Sequence, residues 1–475
     1  MAERAPDLDR GPDAAPVFRN PGAADSGSAL SSAPGAASIA RFQTLLRIPT
    51  MSRLDETTTD WAQFDRFIAT LPELYPALHS TLTREIVAEH SLLYRWAGRS
   101  ADDPTVLMAH YDVVSATDED WVHPPFAAEL VGEGDEQLIW ARGTLDDKGA
   151  LVAVLEAVEA QVLAGYQPER DIYLSFGHNE ETTGTGASTI VDLLQSRGIR
   201  PGLVIDEGGA VVQNVFPGVS KPIAIVGVCE KGITSVILTV EQAGGHASTP
   251  PRMAAPVRLA RAITRLNARP FPAGLTATNF EMITTLGAHA TGILRFVFER
   301  ASLFRVPLAL LLSRMSDESR AIVRTTAVVT QLSGAQATNA LAENAQAVVN
   351  VRIAQGSSVE QMMKHVTKAI RDPKVRIEAE NANEPSAVSP TTGRAWELVS
   401  RSIEATYPDT VVSPYVMLGA SDGRHFTRIS DHVYRFSPFE MSGEERGTLH
   451  AVNERIRVAT FLRGIEFYKR MIGAS

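Results

Sequence analysis

Asp171–Ala187 reads DIYLSFGHNEETTGTGA, and this stretch decides the fold. The run Ile172–Phe176 is a short apolar segment typical of a buried strand. It stops at a Gly/Thr-rich loop carrying two adjacent acids, Glu180 and Glu181. Acids at the end of an apolar strand carry a desolvation penalty unless something compensates them. One carboxylate of such a pair can hold a metal while its neighbour handles a proton.

The same design recurs along the chain. Thr105–Ala109 is a second short apolar run, and VLMAHYDVV places His110 and Asp112 just beyond it. Two residues apart on an extended backbone, they share a face. ARGTLDDKG sets Asp146 and Asp147 directly before the strong helical stretch Gly149–Leu163. LVIDEGG ends the apolar run Leu203–Ile205 on Asp206 and Glu207, and GTLHAVNER offers His450. Helical stretches at Ser38–Arg47, Trp61–Leu71 and Ala187–Arg197 complete the pattern. Strand alternating with helix predicts a mainly parallel sheet covered on both faces. Ligands of such sheets bind beyond the carboxyl ends of the strands, so the acid and histidine clusters are expected on one rim.

Past Lys231 the periodicity changes. Thr234–Glu241 alternates polar and apolar, a helix follows over Pro256–Ala268, and a second alternating strand ends at Val348–Ile353 before the helix Val359–Ile370. This reads as a separate α+β, ferredoxin-like lid over 231–385. The catalytic domain is then α/β and discontinuous, 37–230 with 386–475. Residues 1–36, rich in Ala, Pro, Gly and Ser, read as an extended tail.

The chain has 475 residues, so more than one domain is expected. A formal charge of -10 argues against nucleic-acid binding and against a polybasic anchor. The N-terminus lacks the apolar core of a secretory signal. The longest apolar run, Val306–Leu312, is far short of the ~20 residues that span a bilayer. A cytoplasmic protein is the simplest expectation. A single cysteine, Cys229, rules out an intramolecular disulfide or a thiolate cage and reads as a small core residue. A metal site must use His, Asp and Glu, which suits a divalent ion such as Zn²⁺. The acids outnumber the needs of one tetrahedral ion, which suits a bridged pair.

HYDVV, ARGTLDDKGA, GHNEETTGTGA, DEGG and HAVNE, in this order, resemble the di-zinc aminoacylase and carboxypeptidase family, most of all its carboxypeptidase S branch, which includes N-fatty-acyl-amino-acid hydrolases. The resemblance runs from about Ser38 to Lys469. It implies two zinc ions per chain, one held by His110, Asp206 and Asp146, the other by Glu181, His450 and Asp146. It makes Glu180 the general base and acid and Asp112 the partner that orients His110. It implies a cis Asp146–Asp147 peptide. His246 in GGHASTPP would stabilise the oxyanion, often from a partner subunit. Asn339 in TNALAENAQ and Arg352 in VNVRI would bind the substrate carboxylate, with Arg424 and His425 of SDGRHF as further pocket residues. Ala340 and Ala342 depart from the family's Asn-Val-x-Pro.

The implied reaction is cleavage of an N-acyl amino acid amide by metal-activated water, in a homodimer or higher homo-oligomer. Alternatives remain open: a carboxypeptidase or dipeptidase trimming short peptides, an amidohydrolase for carbamoyl or succinyl amides, or an inactive binding protein that keeps the fold. Each cluster alone has an ordinary reading, Asp147 as a helix N-cap or Arg352 as a lid salt bridge for example. The apolar stretch Ile293–Met315 reads as packing within the lid or between subunits, or as the lining of an acyl channel.

Overall fold

The computed structural model describes residues 33–335 and 337–475. Most of the expected tail therefore lies outside the described residues. Residues 33–36, read as the end of that tail, instead begin the helix Ala33–Leu46. Pro34 suits a first helical turn, where its missing N–H has no partner to lose.

The larger sheet runs in the order Thr83–Val87, Ser91–Trp96, Arg170–Gly177, Ser100–His110, Leu203–Asp206, Val433–Arg435, Ile223–Glu230, Val411–Met417, with Ala210–Val212 paired to Ile223–Glu230. Its central strands, from Arg170–Gly177 to Val433–Arg435, pair in parallel. The strand before His110 shows why it is buried on both sides. Leu107 and Ala109 join the main core cluster, while Val106 and Met108 join a second cluster on the other face. Lys148–Leu163, Val458–Ala474 and Ala33–Leu46 cover the first face, and Gly186–Ser196 with Gly423–Phe426 cover the second. The expected α/β architecture is therefore present.

A second sheet is wholly antiparallel, in the order Thr326–Ser333, Asn344–Ile353, Gly232–Glu241, Arg376–Asn383. The helices Ala255–Asn267 and Val359–Ile370 pack on it around a core of its own. Strand order and helix positions are those of a ferredoxin-like unit. The inserted segment is not one body, however. Met282, Ile283, Leu286, Phe298, Leu308, Ala309 and Val323, from the helices between Ala277 and Val323, belong to the main core cluster. They pack on the catalytic sheet, chiefly through Ala277–Gly287 against Val411–Met417. Residues 277–323 thus interrupt the lid and return to the catalytic body.

Where Ile223–Glu230 passes into Gly232–Glu241, the junction is polar and buried. Arg435 Nε donates to Glu230 Oε1 at 2.7 Å, both side chains being 0% exposed. Lys231 Nζ donates to the carbonyls of Ala321 (3.0 Å) and Arg324 (2.9 Å), and burial lowers its pKa to about 7. Cys229 is buried beside this junction, and burial pushes its thiol up to about 12. Among the described residues, no helix is long and apolar enough to cross a membrane.

Candidate metal centre

The strand Ser100–His110 ends on His110, and register places it opposite Gly177 at the end of Arg170–Gly177. The two strand ends carry His110 and the Glu180–Glu181 loop to the same rim. A Cβ at Gly177 would stand 2.6 Å from Asp422 Oδ2, so this close approach needs glycine. The loop then wraps around Asn179: its carbonyl accepts from Gly184 N at 2.8 Å and its side chain from Gly186 N at 3.1 Å. Asp112 completes the cradle. Its oxygens accept from Glu180 N and Glu181 N, each at 3.1 Å, and from Ser52 Oγ at 2.7 Å.

The Nδ1 of His110 faces the carbonyl oxygen of Asp112 at 3.0 Å. A carbonyl only accepts, so Nδ1 carries a proton. Burial opposes a second proton, but hydrogen bonds to Asp112, Asp146 and Glu207 outweigh it and raise the imidazole pKa well above its ordinary value. A cation at Nε2 would take that second proton's place. That Nε2 lies 3.0 Å from Asp146 Oδ1 and 3.6 Å from Glu207 Oε1. On the other side, His450 Nε2 lies 2.8 Å from Asp146 Oδ2 and 3.2 Å from Glu181 Oε2. Two imidazoles therefore face the two oxygens of one carboxylate. Ligand atoms around a tetrahedral ion with bonds near 2.0–2.1 Å stand ~3.3 Å apart, which matches these separations.

Two groups have ligand atoms within 4.8 Å of one another: His110 with Glu180 and Glu207, and His110 with Asp146 and Glu181. Buried Glu181 Oε1 and Asp147 Oδ1 accept no hydrogen bond. A divalent cation is the partner that satisfies such an oxygen. The donor set, oxygen and imidazole without sulfur, fits zinc or a similar ion. The Asp146–Asp147 peptide bond is cis, as the family resemblance implied.

Electrostatics point the same way. Burial raises the pKa of Glu180 well above the ordinary carboxylate value, and that of Glu207 to about 8. Burial also raises Asp147 and Asp422, with neighbouring acids adding to the effect. Asp146 goes the other way: burial opposes its charge, but hydrogen bonds from His110 and His450 outweigh it. Hydrogen bonds to Asp146 and Glu181 lift His450 to about 10. Acids crowded to this degree invite cations.

Two adjacent acids end the strand Leu203–Asp206 beside this cluster. Asp206 Oδ2 accepts from Gly423 N at 2.5 Å, and its charge helps raise the pKa values of Glu207 and Asp147. Glu207 Oε1 is the carboxylate oxygen of this pair that stands beside His110 Nε2, at 3.6 Å. Consecutive residues at a strand end face opposite ways, so only one of Asp206 and Glu207 can point at His110, and sequence does not say which. Glu207→Gln is expected to weaken metal binding by more than the ~10–100-fold typical of outer-shell partners, and Asp206→Asn by less. Competition with a chromogenic chelator measures both; the reverse order would make Asp206 the ligand.

Other expected residues divide into two groups. Arg352 and Arg424 come together. Burial and then the Arg424 charge lower the Arg352 pKa, while Glu230 and Glu180 raise it, so Arg352 lies within electrostatic reach of both Arg424 and Glu180. His246 and Asn339 lie elsewhere. They are exposed on facing lid loops, where Ala247 N donates to the Asn339 carbonyl at 3.0 Å. His246 Nδ1 accepts from Ser248 N at 3.1 Å, and neither residue bonds to the cluster.

Glu454 was missed by sequence reasoning. Fully buried, it accepts from Arg142 (2.6 Å), Gly143 N (3.0 Å), Leu145 N (2.7 Å) and Asp146 N (3.3 Å). It fixes the loop that carries Asp146, and it lies one short turn beyond His450. Its place in HAVNE was the only available signal.

A discontinuous α/β body, a ferredoxin-like lid and a rim of His and carboxylates define a metal-dependent hydrolase of peptides or related amides. The profile of the peptidase family M20/M25/M40 matches residues 106–474, and the chain belongs to that family. Its relatives lie in the carboxypeptidase S-like branch. It is 34% identical over 451 residues to "Probable carboxypeptidase S-like 2" of Dictyostelium discoideum, covering 91% of this chain and 86% of that one. It is 33% identical over 439 residues to human "N-fatty-acyl-amino acid synthase/hydrolase PM20D1", covering 90% and 85%. The crystal structure of the M20 family metallo-carboxypeptidase Sso-CP2 from Sulfolobus solfataricus superposes with a TM-score of 0.66 at 17% identity, over 92% of this chain and 98% of that one.

Proposed function

We propose that this chain is a dinuclear zinc amidohydrolase that cleaves N-acyl amino acids, works in the cytoplasm and runs in reverse at high product concentration. The observation that carries this reading is Asp146, whose two oxygens each face a different histidine Nε2. His110, Glu207 and one oxygen of Asp146 would hold one ion; His450, Glu181 and the other oxygen would hold the second. Bound there, the pair would supply Lewis acidity at the scissile carbonyl and lower the pKa of an attacking water.

The chain's own groups do the rest. Asp112 fixes the backbone of Glu180, aiming its carboxylate into the cluster. Glu180 takes the proton from water and returns it to the leaving nitrogen. Arg352 and Arg424 grip the carboxylate of the amino acid, a task suited to paired guanidinium forks. His246 and Asn339 join on lid closure or from a partner subunit. A homodimer is supported by the unpaired edge strand Thr326–Ser333, whose outward residues include exposed Val328 and Leu332.

The name of the human relative favours N-acyl amino acids; those of the Dictyostelium and Sulfolobus proteins favour C-terminal trimming of peptides, which the same arginines would serve. A panel of N-acyl amino acids against dipeptides, each with zinc and with a chelator, decides between them. Higher kcat/KM on acyl amino acids, abolished by chelation, is expected. Preference for dipeptides would select the carboxypeptidase reading, and no turnover on either would select a binding protein. Arg352→Ala is expected to raise KM by about 10–100-fold with a smaller change in kcat. An unchanged KM would remove it from the pocket.

A further inference from the structure

The helices Gly292–Glu299 and Arg305–Met315 present an apolar face that nothing among the described residues covers. Leu308 and Ala309 are buried in the main core, and Leu312 packs against it. The opposite side carries Leu303 (77% exposed), Val306 (68%), Leu310 (45%) and Leu311 (55%). Positions 306 and 310 follow helical spacing on Arg305–Met315, with Leu311 next to them and Leu303 in the turn just before the helix. Phe296 and Met315, each 48% exposed, extend this face. Contiguous apolar surface of this kind marks an interaction site in a water-soluble body.

The charge around the face selects the partner. Residues 292–324 contain six arginines and three acids in a chain whose net charge is -10. The three acids are already engaged: Glu299 with Arg295, Asp317 with Arg320 and Glu318 with Arg446. Arg300 lies over the Phe296 ring at 4.1 Å, and Arg314 sits on the helix between the exposed apolar positions. Among the described residues, neither has a carboxylate within ion-pair distance. A two-fold interface would bring each arginine towards its own copy, which like charges disfavour. Apolar side chains ringed by arginine instead match the boundary between acyl chains and anionic headgroups.

We propose that this face docks the enzyme onto an anionic lipid bilayer, the leucines entering the headgroup boundary and Arg300 and Arg314 pairing with headgroup phosphates. The segment lies beside the catalytic cleft, since Glu318 pairs with Arg446, four residues before His450, and Thr326 pairs in register with Arg352. Docking would hold the cleft near the membrane surface, whatever amide it cleaves.

The test is flotation of the intact protein with vesicles of phosphatidylcholine alone or mixed with phosphatidylglycerol. Binding to the mixed vesicles only, weakened by salt, is expected. Leu303→Ser/Leu311→Ser and, separately, Arg314→Glu should each reduce it by at least ~10-fold. These residues are exposed, so melting temperature and turnover of a water-soluble substrate should not change. Failure of the unaltered protein to float, or equal flotation of the variants, would overturn the proposal. So would conversion of a dimer to a monomer by the leucine substitutions in sedimentation equilibrium, which would make the face a subunit interface.

Discussion

Glu180→Gln is expected to lower kcat by about 10²–10⁴-fold, the range general acid–base groups supply, while leaving the metal content unchanged. The half-buried carboxylate stands with His110 and Glu207 and is held at its backbone by Asp112. Glutamine keeps its shape and removes its capacity to take a proton. Burial raises the Glu180 pKa, so the variant also removes a group that resists ionisation in the metal-free protein. The fold should be untouched or slightly more stable without metal. Steady-state kinetics with metal analysis on one preparation separates the roles. Lost metal would make Glu180 a ligand, and undiminished turnover would end its assignment.

Asp146→Ala is expected to act on both halves of the centre at once. Each imidazole Nε2 faces its own oxygen of this carboxylate, at 3.0 Å for His110 and 2.8 Å for His450. Removing it leaves two histidines and their companion acids, Glu207 and Glu181, without the group that joins them. The loss should exceed the ~10–100-fold in metal affinity that outer-shell substitutions cost, and activity should fall with it. Glu454→Gln should be milder, since it loosens the loop that carries Asp146 and removes no ligand. Equal zinc content in Asp146→Ala and the unaltered protein would refute the bridging role.

Much of this was legible because strand ends leave local marks. An apolar run followed at once by His or acid, as at His110, Glu180 and Asp206, reports both burial and rim position. The lid strands announced themselves through alternation, as in Thr234–Glu241. What escaped is non-local. Whether Asp206 or Glu207 points inward depends on the pleat at the last strand residue, which a two-acid motif does not encode. Glu454 earns its place through partners more than three hundred residues upstream. The helices over 277–323 look like lid by position. Only their packing, with Met282 and Ile283 in the main core, returns them to the catalytic body. His246 and Asn339 were read from motif, and a single chain does not bring them to the cluster.

The central claim is a pair of cations held by His110, Asp146, Glu181, Glu207 and His450. Its most direct measurement is the metal content of the purified, fully active protein by elemental analysis, before and after exhaustive chelation. The expected result is two equivalents of zinc per chain, activity lost on chelation, and activity restored as the second equivalent returns. Protein that holds no metal yet turns over substrate at its full rate would contradict the account.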